Sequence, residues 1–162
     1  MSSRAAPEPR RSSRANSPLA GKEILVAESS MRMAELLVSA LRSVGVTAIS
    51  RFTDSSSTWM ALSTRKFDAA IVDFNLKPRG AVELTRDIRR SKHENARLPL
   101  IGIATNRAPA TLTSALMAGM TRVVVRPVSA ETLRARLIEV CGNRNAPSPG
   151  SGVYEAEDII EI

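Results

Sequence analysis

Aromatic residues are nearly absent from this chain of 162 residues: one Trp, one Tyr and three Phe make up 3% of it. A core built without them must be aliphatic, and at 43% hydrophobic residues the chain can supply one from Ala, Val, Leu and Ile. Cysteine and histidine are as scarce, with Cys141 and His93 the single member of each. One of each excludes a disulfide framework and a structural zinc site, and points to a reduced, cytoplasmic protein. No run approaches the ~20 apolar residues that a bilayer-spanning helix needs. The Arg-, Ser- and Pro-rich stretch from Met1 to Pro18 lacks the apolar centre of a secretory signal. Its composition leaves a mitochondrial transit peptide open.

Charge is unevenly spread. The net charge is +7, and residues 1–22 carry Arg4, Arg10, Arg11, Arg14 and Lys22 against Glu8 alone. At the other end, residues 145–162 carry Glu155, Glu157, Asp158 and Glu161 and no basic residue. The expected organisation is a disordered basic tail over 1–21, a folded domain over 22–142 and a disordered acidic tail over 143–162, since polar, Pro- and Ser-rich ends bury too little to fold. The apolar Ile159, Ile160 and Ile162 could give the acidic end a short docking element.

Between the tails, apolar runs of strand type alternate with helical periodicity. Ile24-Leu25-Val26-Ala27 is a short continuous apolar run, as in a strand covered on both faces. A helix follows over Met31 to Val44, with Met33, Leu36, Leu37, Ala40 and Leu41 on its apolar face and Gly45 ending it. Further strands are predicted at Val46–Ser50, Phe67–Val72, Leu98–Ala104 and Arg122–Val125. Further helices are predicted at Thr58–Thr64, Gly80–Arg90, Ala110–Ala118 and Ala130–Val140. Five strands alternating with five helices imply a doubly wound α/β domain with a five-stranded parallel sheet in the order 2-1-3-4-5.

Ligands of such a sheet bind beyond the carboxyl ends of its strands. The residues there are Glu28 and Ser29, then Asp73, Thr105 and Arg126. Carboxylates, a hydroxyl and a fixed cation together suit a phosphoryl group and a hard divalent metal.

The motifs Ile-Leu-Val-Ala-Glu-Ser-Ser (24–30), Ala-Ile-Val-Asp (70–73), Ile-Gly-Ile-Ala-Thr (101–105), Ala-Gly (118–119) and Val-Val-Val-Arg-Pro (123–127) resemble the receiver domain of two-component response regulators. The resemblance covers about residues 22–141. With no recognisable output domain the chain is similar to stand-alone receivers, and Glu83 to Val128 is similar to those of alphaproteobacteria. The resemblance implies a non-enzymatic, flavodoxin-like signalling module. In it Asp73 accepts a phosphoryl group from a histidine kinase or phosphotransfer protein, and a downstream protein partner reads the result. It further implies that Thr105 and Arg126 bind the phosphoryl oxygens, and that Glu28, Asp73 and the backbone carbonyl of Asn75 hold Mg²⁺.

Four departures from the family pattern stand out. Ser29 replaces the second acid of the metal-binding pair, which should weaken Mg²⁺. Arg126 stands where the family has Lys, keeping the charge on a bulkier planar fork. Val123 stands where the family has its aromatic switch residue. The loop Lys77-Pro78-Arg79-Gly80 is one residue shorter than usual.

An alternative is a phosphorylation-independent adaptor, or an effector of a cyclic dinucleotide such as c-di-GMP, using arginine forks at Arg134, Arg136, Arg10, Arg11 and Arg14. Nonspecific nucleic-acid contact through the basic tail is a third option, but no recognition-helix signature supports DNA binding. His93 falls in a polar loop, Cys141 at a helix end reads as a small apolar filler, and Trp59 reads as a packed side chain.

Overall fold

The computed structural model describes residues 17–142 and 159–160. Five parallel strands, β1 (Glu23–Ala27), β2 (Ala48–Phe52), β3 (Ala69–Asp73), β4 (Leu100–Ala104) and β5 (Arg122–Val125), lie in the predicted order 2-1-3-4-5. Five α-helices alternate with them: α1 (Met31–Ser43), α2 (Ser55–Thr64), α3 (Ala81–Arg90), α4 (Pro109–Met117) and α5 (Ala130–Gly142).

The sheet is buried on both faces because its inner strands are apolar between their ends, and alternation sorts those residues into two cores. Leu25, Ala70, Leu100 and Val123 point to α2, α3 and α4, packing with Leu62, Leu84, Ile88 and Leu116. Ile24, Ile71, Ile101 and Val124 point to the other face and meet Leu37 and Leu41 of α1 and Leu133 and Leu137 of α5. Each such side chain contributes roughly 1.5–3 kcal/mol on leaving water, which is how a core almost free of aromatic rings holds the domain. Trp59 packs against the first of these cores as a partly buried side chain.

Several boundaries differ from the sequence expectation, each for a local reason. Helix α2 starts at Ser55, because Asp54 caps it by accepting from the Ser57 amide at 2.7 Å. Ser55, Ser56 and Ser57 therefore form its first turn, ahead of the predicted start at Thr58. That hydrogen bond to the Ser57 backbone, with a second from its side chain, holds the Asp54 carboxyl below the usual carboxylate range. The cap is at full strength above the unfolded pKa of the acid and weakens as pH falls through the lowered native value. Strand β2 begins two residues late because the Val46 amide still donates to Leu41 O, closing the end of α1.

The loop around His93 holds a short 3₁₀ turn over Glu94–Arg97. His93 Nδ1 accepts from the Asn95 amide, so the half-buried histidine is a cap and not a freely solvated side chain. Asn95 is 1% exposed and clamps α2 to β3: its amide donates to Leu62 O and Arg65 O, and its oxygen accepts from the Phe67 amide. Phe67 is thereby tied to this clamp, and β3 begins at Ala69.

Both tail boundaries also shift. Leu19 is fully buried in the α1–α5 core, so the packed domain begins at Ser17, whose hydroxyl donates to Val44 O. Beyond α5, Ile159–Ile160 form a short sixth strand parallel to Val123–Val124, extending the sheet at its β5 edge past the five predicted strands. Residues 1–16, 143–158 and 161–162 of the two predicted tails lie outside the described residues.

Cys141 packs against the α1–α5 core and lies 3.9 Å from Asp68 O. Burial pushes its thiol pKa up, Asp68 adds to this, and Lys22 opposes it. Alkylation by iodoacetamide at pH 8 should therefore be slower than for free cysteine and rise above pH 9; a rate equal to free cysteine would show an open thiol. Asn95→Ala strands two buried partners, Leu62 O and the Phe67 amide, and the part-buried Arg65 O. By about 1–3 kcal/mol per unsatisfied buried group it should lower stability by roughly 3 kcal/mol. Urea unfolding with an unchanged slope measures this.

Candidate functional site

Glu28, Asp73 and Arg126 are brought to the strand ends by backbone pairing. The Glu28 amide donates to Phe52 O, the Phe74 amide to Ile103 O and the Arg126 amide to Ala104 O. These bonds carry the ladder one residue past each strand and bring Glu28, Asp73 and Arg126, 98 and 53 positions apart from the arginine in sequence, into contact. Glu28 and Asp73 are 2% and 5% exposed, which marks them as built into the domain.

Two buried carboxylates side by side demand a counter-charge. Arg126 supplies it. Its Nη2 donates to Glu28 Oε2 at 2.6 Å and approaches Asp73 Oδ1 at 3.5 Å. The second oxygen of Glu28 accepts from the Ser30 amide at 2.9 Å. Ser30 is itself the cap of α1, its hydroxyl accepting from the Met33 amide, so Glu28 is fixed at both oxygens. Asp73 keeps an oxygen free of hydrogen bonds among the described residues.

The other sequence-predicted residues form a looser rim. Ser29, Asn75 and Thr105 are all exposed and follow their strands into the loops above the acid pair. Val123 is fully buried in the core below α4. An aliphatic side chain there cannot swing out toward Thr105 as an aromatic switch would.

Whether Mg²⁺ fits can be judged from the donor set. Glu28 and Asp73 are adjacent hard oxygen donors, and Asn75 lies in the turn directly after Asp73. Among the described residues no group of three or more His, Cys, Asp or Glu could hold a metal. The site fits a hard cation with one anionic donor fewer than a three-acid cluster, and that cation must share Glu28 with Arg126.

The arginines of the alternative reading are scattered. Arg134 is exposed, whereas Arg136 is half-buried with its Nη1 on Glu139 Oε2 at 2.6 Å. Glu139 is also held by Arg122 at 2.6 Å. Arg10, Arg11 and Arg14 lie outside the described residues.

One feature escaped the periodicity. Leu36, placed on the core face of α1 by spacing, is 56% exposed, and the buried face is Ala34, Leu37, Val38 and Leu41. Leu36 instead helps line an apolar groove of about 470 Å³ with Met33, Leu37, Ala40, Pro127, Val128 and Arg126. Met31, 67% exposed, belongs to the same helix. The signal available in the sequence was an apolar face on α1 wider than its neighbours can bury.

Parallel strands in the order 2-1-3-4-5, with an acid at the end of β3 facing a second acid and a cation, define a receiver-type signalling domain. Residues 24–138 match the response regulator receiver domain, and the chain belongs to that family, a component of two-component signalling. It is 26% identical over 137 residues to a chemotaxis protein CheY homolog of Campylobacter jejuni, covering 83% of this chain and 99% of that one. It is 30% identical over 80 residues, 49% of this chain, to the CAI-1 autoinducer sensor kinase/phosphatase CqsS of Vibrio cholerae, and spans only 12% of that protein's length. The receiver domain of the sensor histidine kinase PA1611 of Pseudomonas aeruginosa, solved with magnesium in its active-site cleft, superposes with a TM-score of 0.70 at 25% identity, covering 76% of this chain and all of that one.

The missing acid makes a direct prediction. Ser29→Asp should tighten Mg²⁺, because an added anionic oxygen meets a hard cation. Isothermal titration checks this, and equal or weaker affinity would mean that position 29 does not reach the site.

Proposed function

We propose that this receiver takes a phosphoryl group on Asp73 from a histidine kinase or phosphotransfer protein, and signals through protein contacts in the cytoplasm without being an enzyme. The observation that carries this is the pairing of Glu28 and Asp73 under one guanidinium, with an Asp73 oxygen left unengaged. In the transfer the P–N bond of a phosphohistidine breaks, a P–O bond to Asp73 forms, and the imidazole leaves with its electron pair. Mg²⁺, when held by Glu28, Asp73 and the Asn75 carbonyl, supplies positive charge for the moving phosphoryl oxygens. Arg126 and the Thr105 hydroxyl take those oxygens once the group has arrived.

The donor protein is proposed to seat a helix in the α1 groove. The groove is apolar, borders the acid pair through Arg126, and has Leu36 exposed along it. A donor lying there presents its histidine over Asp73.

A phosphorylation-independent adaptor is the second reading, favoured by the Arg126 ion pairs, which balance one of the two carboxylates without any metal. A c-di-GMP effector would need the free forks of Arg134 and Arg136, and Glu139 already engages Arg136.

Labelling with acetyl phosphate in Mg²⁺ tests the first reading. Wild type should gain an acid-stable, base-labile phosphoryl group, detected by intact-mass analysis, and Asp73→Asn should gain none. Full signalling by Asp73→Asn in cells would establish the adaptor instead.

A further inference from the structure

Arg126 belongs to two places at once. Its guanidinium is held by the two buried carboxylates, and the residue is also a wall of the α1 groove beside Pro127 and Val128. No other hydrogen bond of its side chain is made among the described residues, and the side chain remains 20% exposed. Charge therefore positions it, and core packing leaves it room to move.

We infer that Arg126 is a positioning residue that couples the charge of the Glu28–Asp73 pair to the shape of the α1 groove. This rests on the reading of Asp73 as phosphoryl acceptor and of the groove as the donor's seat. In the resting protein the short contact to Glu28 holds the arginine in one place. A cation on Glu28 competes for that partner, and a phosphoryl group on Asp73 offers new anionic oxygens beside the Nη2 that now serves both acids. Either change draws the guanidinium off Glu28. The stem must follow, and with it the groove wall opposite Leu36 and Met33.

The consequence is a readout at α1. A relay through an aromatic side chain cannot run here, since Val123 is aliphatic and fully buried. Arg126 gives the domain another mechanical link, and a direction for it. The donor's seat is formed in the unphosphorylated state and is reshaped once Asp73 is phosphorylated, so the donor leaves after transfer.

The test needs neither metal nor donor. Methyl ¹³C spectra of the full 162-residue chain are compared for wild type, Glu28→Gln, Arg126→Met and the double variant. Gln keeps the shape of Glu28 and removes its charge, while Met keeps an apolar stem along the groove. Glu28→Gln should shift the methyls of Met33, Leu36 and Val128 and leave those of Leu100 and Leu116, in the core on the other face of the sheet, in place. In the Arg126→Met background the same change should leave the groove methyls unmoved. Silent groove methyls in Glu28→Gln overturn the coupling. So does an equal shift in the Arg126→Met background, which would mean that the effect travels through Ser30 and α1. Should Glu28→Gln not fold, Asp73→Asn takes its place, with a smaller shift expected from its longer contact. Failure of acetyl phosphate labelling leaves these shifts untouched, so the two readings fail separately.

Discussion

A sheet covered by helices on both faces can bring its polar side chains together only where its strands end. Here β3 and β4 are buried at all five positions, so a charged group within them would carry a desolvation cost of several kcal/mol. Asp73, at the last position of β3, and Glu28, one residue past β1, are buried all the same, and the strand ends are where Arg126 can reach both to offset that cost. The same parallel registers that pair Ala27 with Val72 and Asp73 with Ile103 set the spacing of the site. Fold and site are thus one constraint. The apolar runs that make the core force the ionisable groups to one edge, where they meet.

Once there, the groups set each other's options. Glu28 and Asp73 carry two negative charges and Arg126 one positive, which leaves the buried cluster short of one positive charge. A neutral resting cluster would need one more cation or proton, and a divalent ion would overshoot by one. Arginine suits this place better than lysine for a reason of shape. A guanidinium presents several donors in a plane and can lie against two carboxylates, while an ammonium concentrates its charge at a point. The loss of the acid at Ser29 and the presence of arginine at position 126 are therefore consistent with each other, since each lowers the need for a metal in the resting state.

The fold was legible because the period of the apolar residues carries it. Ile24–Ala27 and Leu100–Ala104 are apolar throughout, as strands covered on both faces are, and their shortness and flanking breaks separate them from buried helices. Asp73, Thr105 and Arg126 were legible for a different reason: topology places whatever follows each strand at one end of the sheet. What escaped lies where local hydrogen bonding overrides pattern. Asp54 turns a run of serines into a helical turn, and the Asn95 clamp delays the start of β3. Leu19 and Leu36 mislead in opposite senses. One is an apolar residue in a polar stretch that packs into the core with α1 and α5, and the other is an apolar residue on a helix face that no described residue covers. Neither can be resolved without knowing which element lies alongside.

The departures from the family pattern gain their meaning from where they fall. Val123, Arg126 and the α1 groove occupy successive layers from the α4 core, through the site, to the α1 face. With an aromatic residue at position 123 the mobile element would lie on the α4 side, under the loop of Thr105. With valine there, that position is filled by a fully buried aliphatic side chain and supplies no aromatic ring to move. Among the described residues, the side chain that touches the acid pair and also reaches a surface is Arg126, and the surface it reaches belongs to α1. In the proposed coupling a change of charge at Asp73 therefore acts toward the groove, on the α1 face of the sheet.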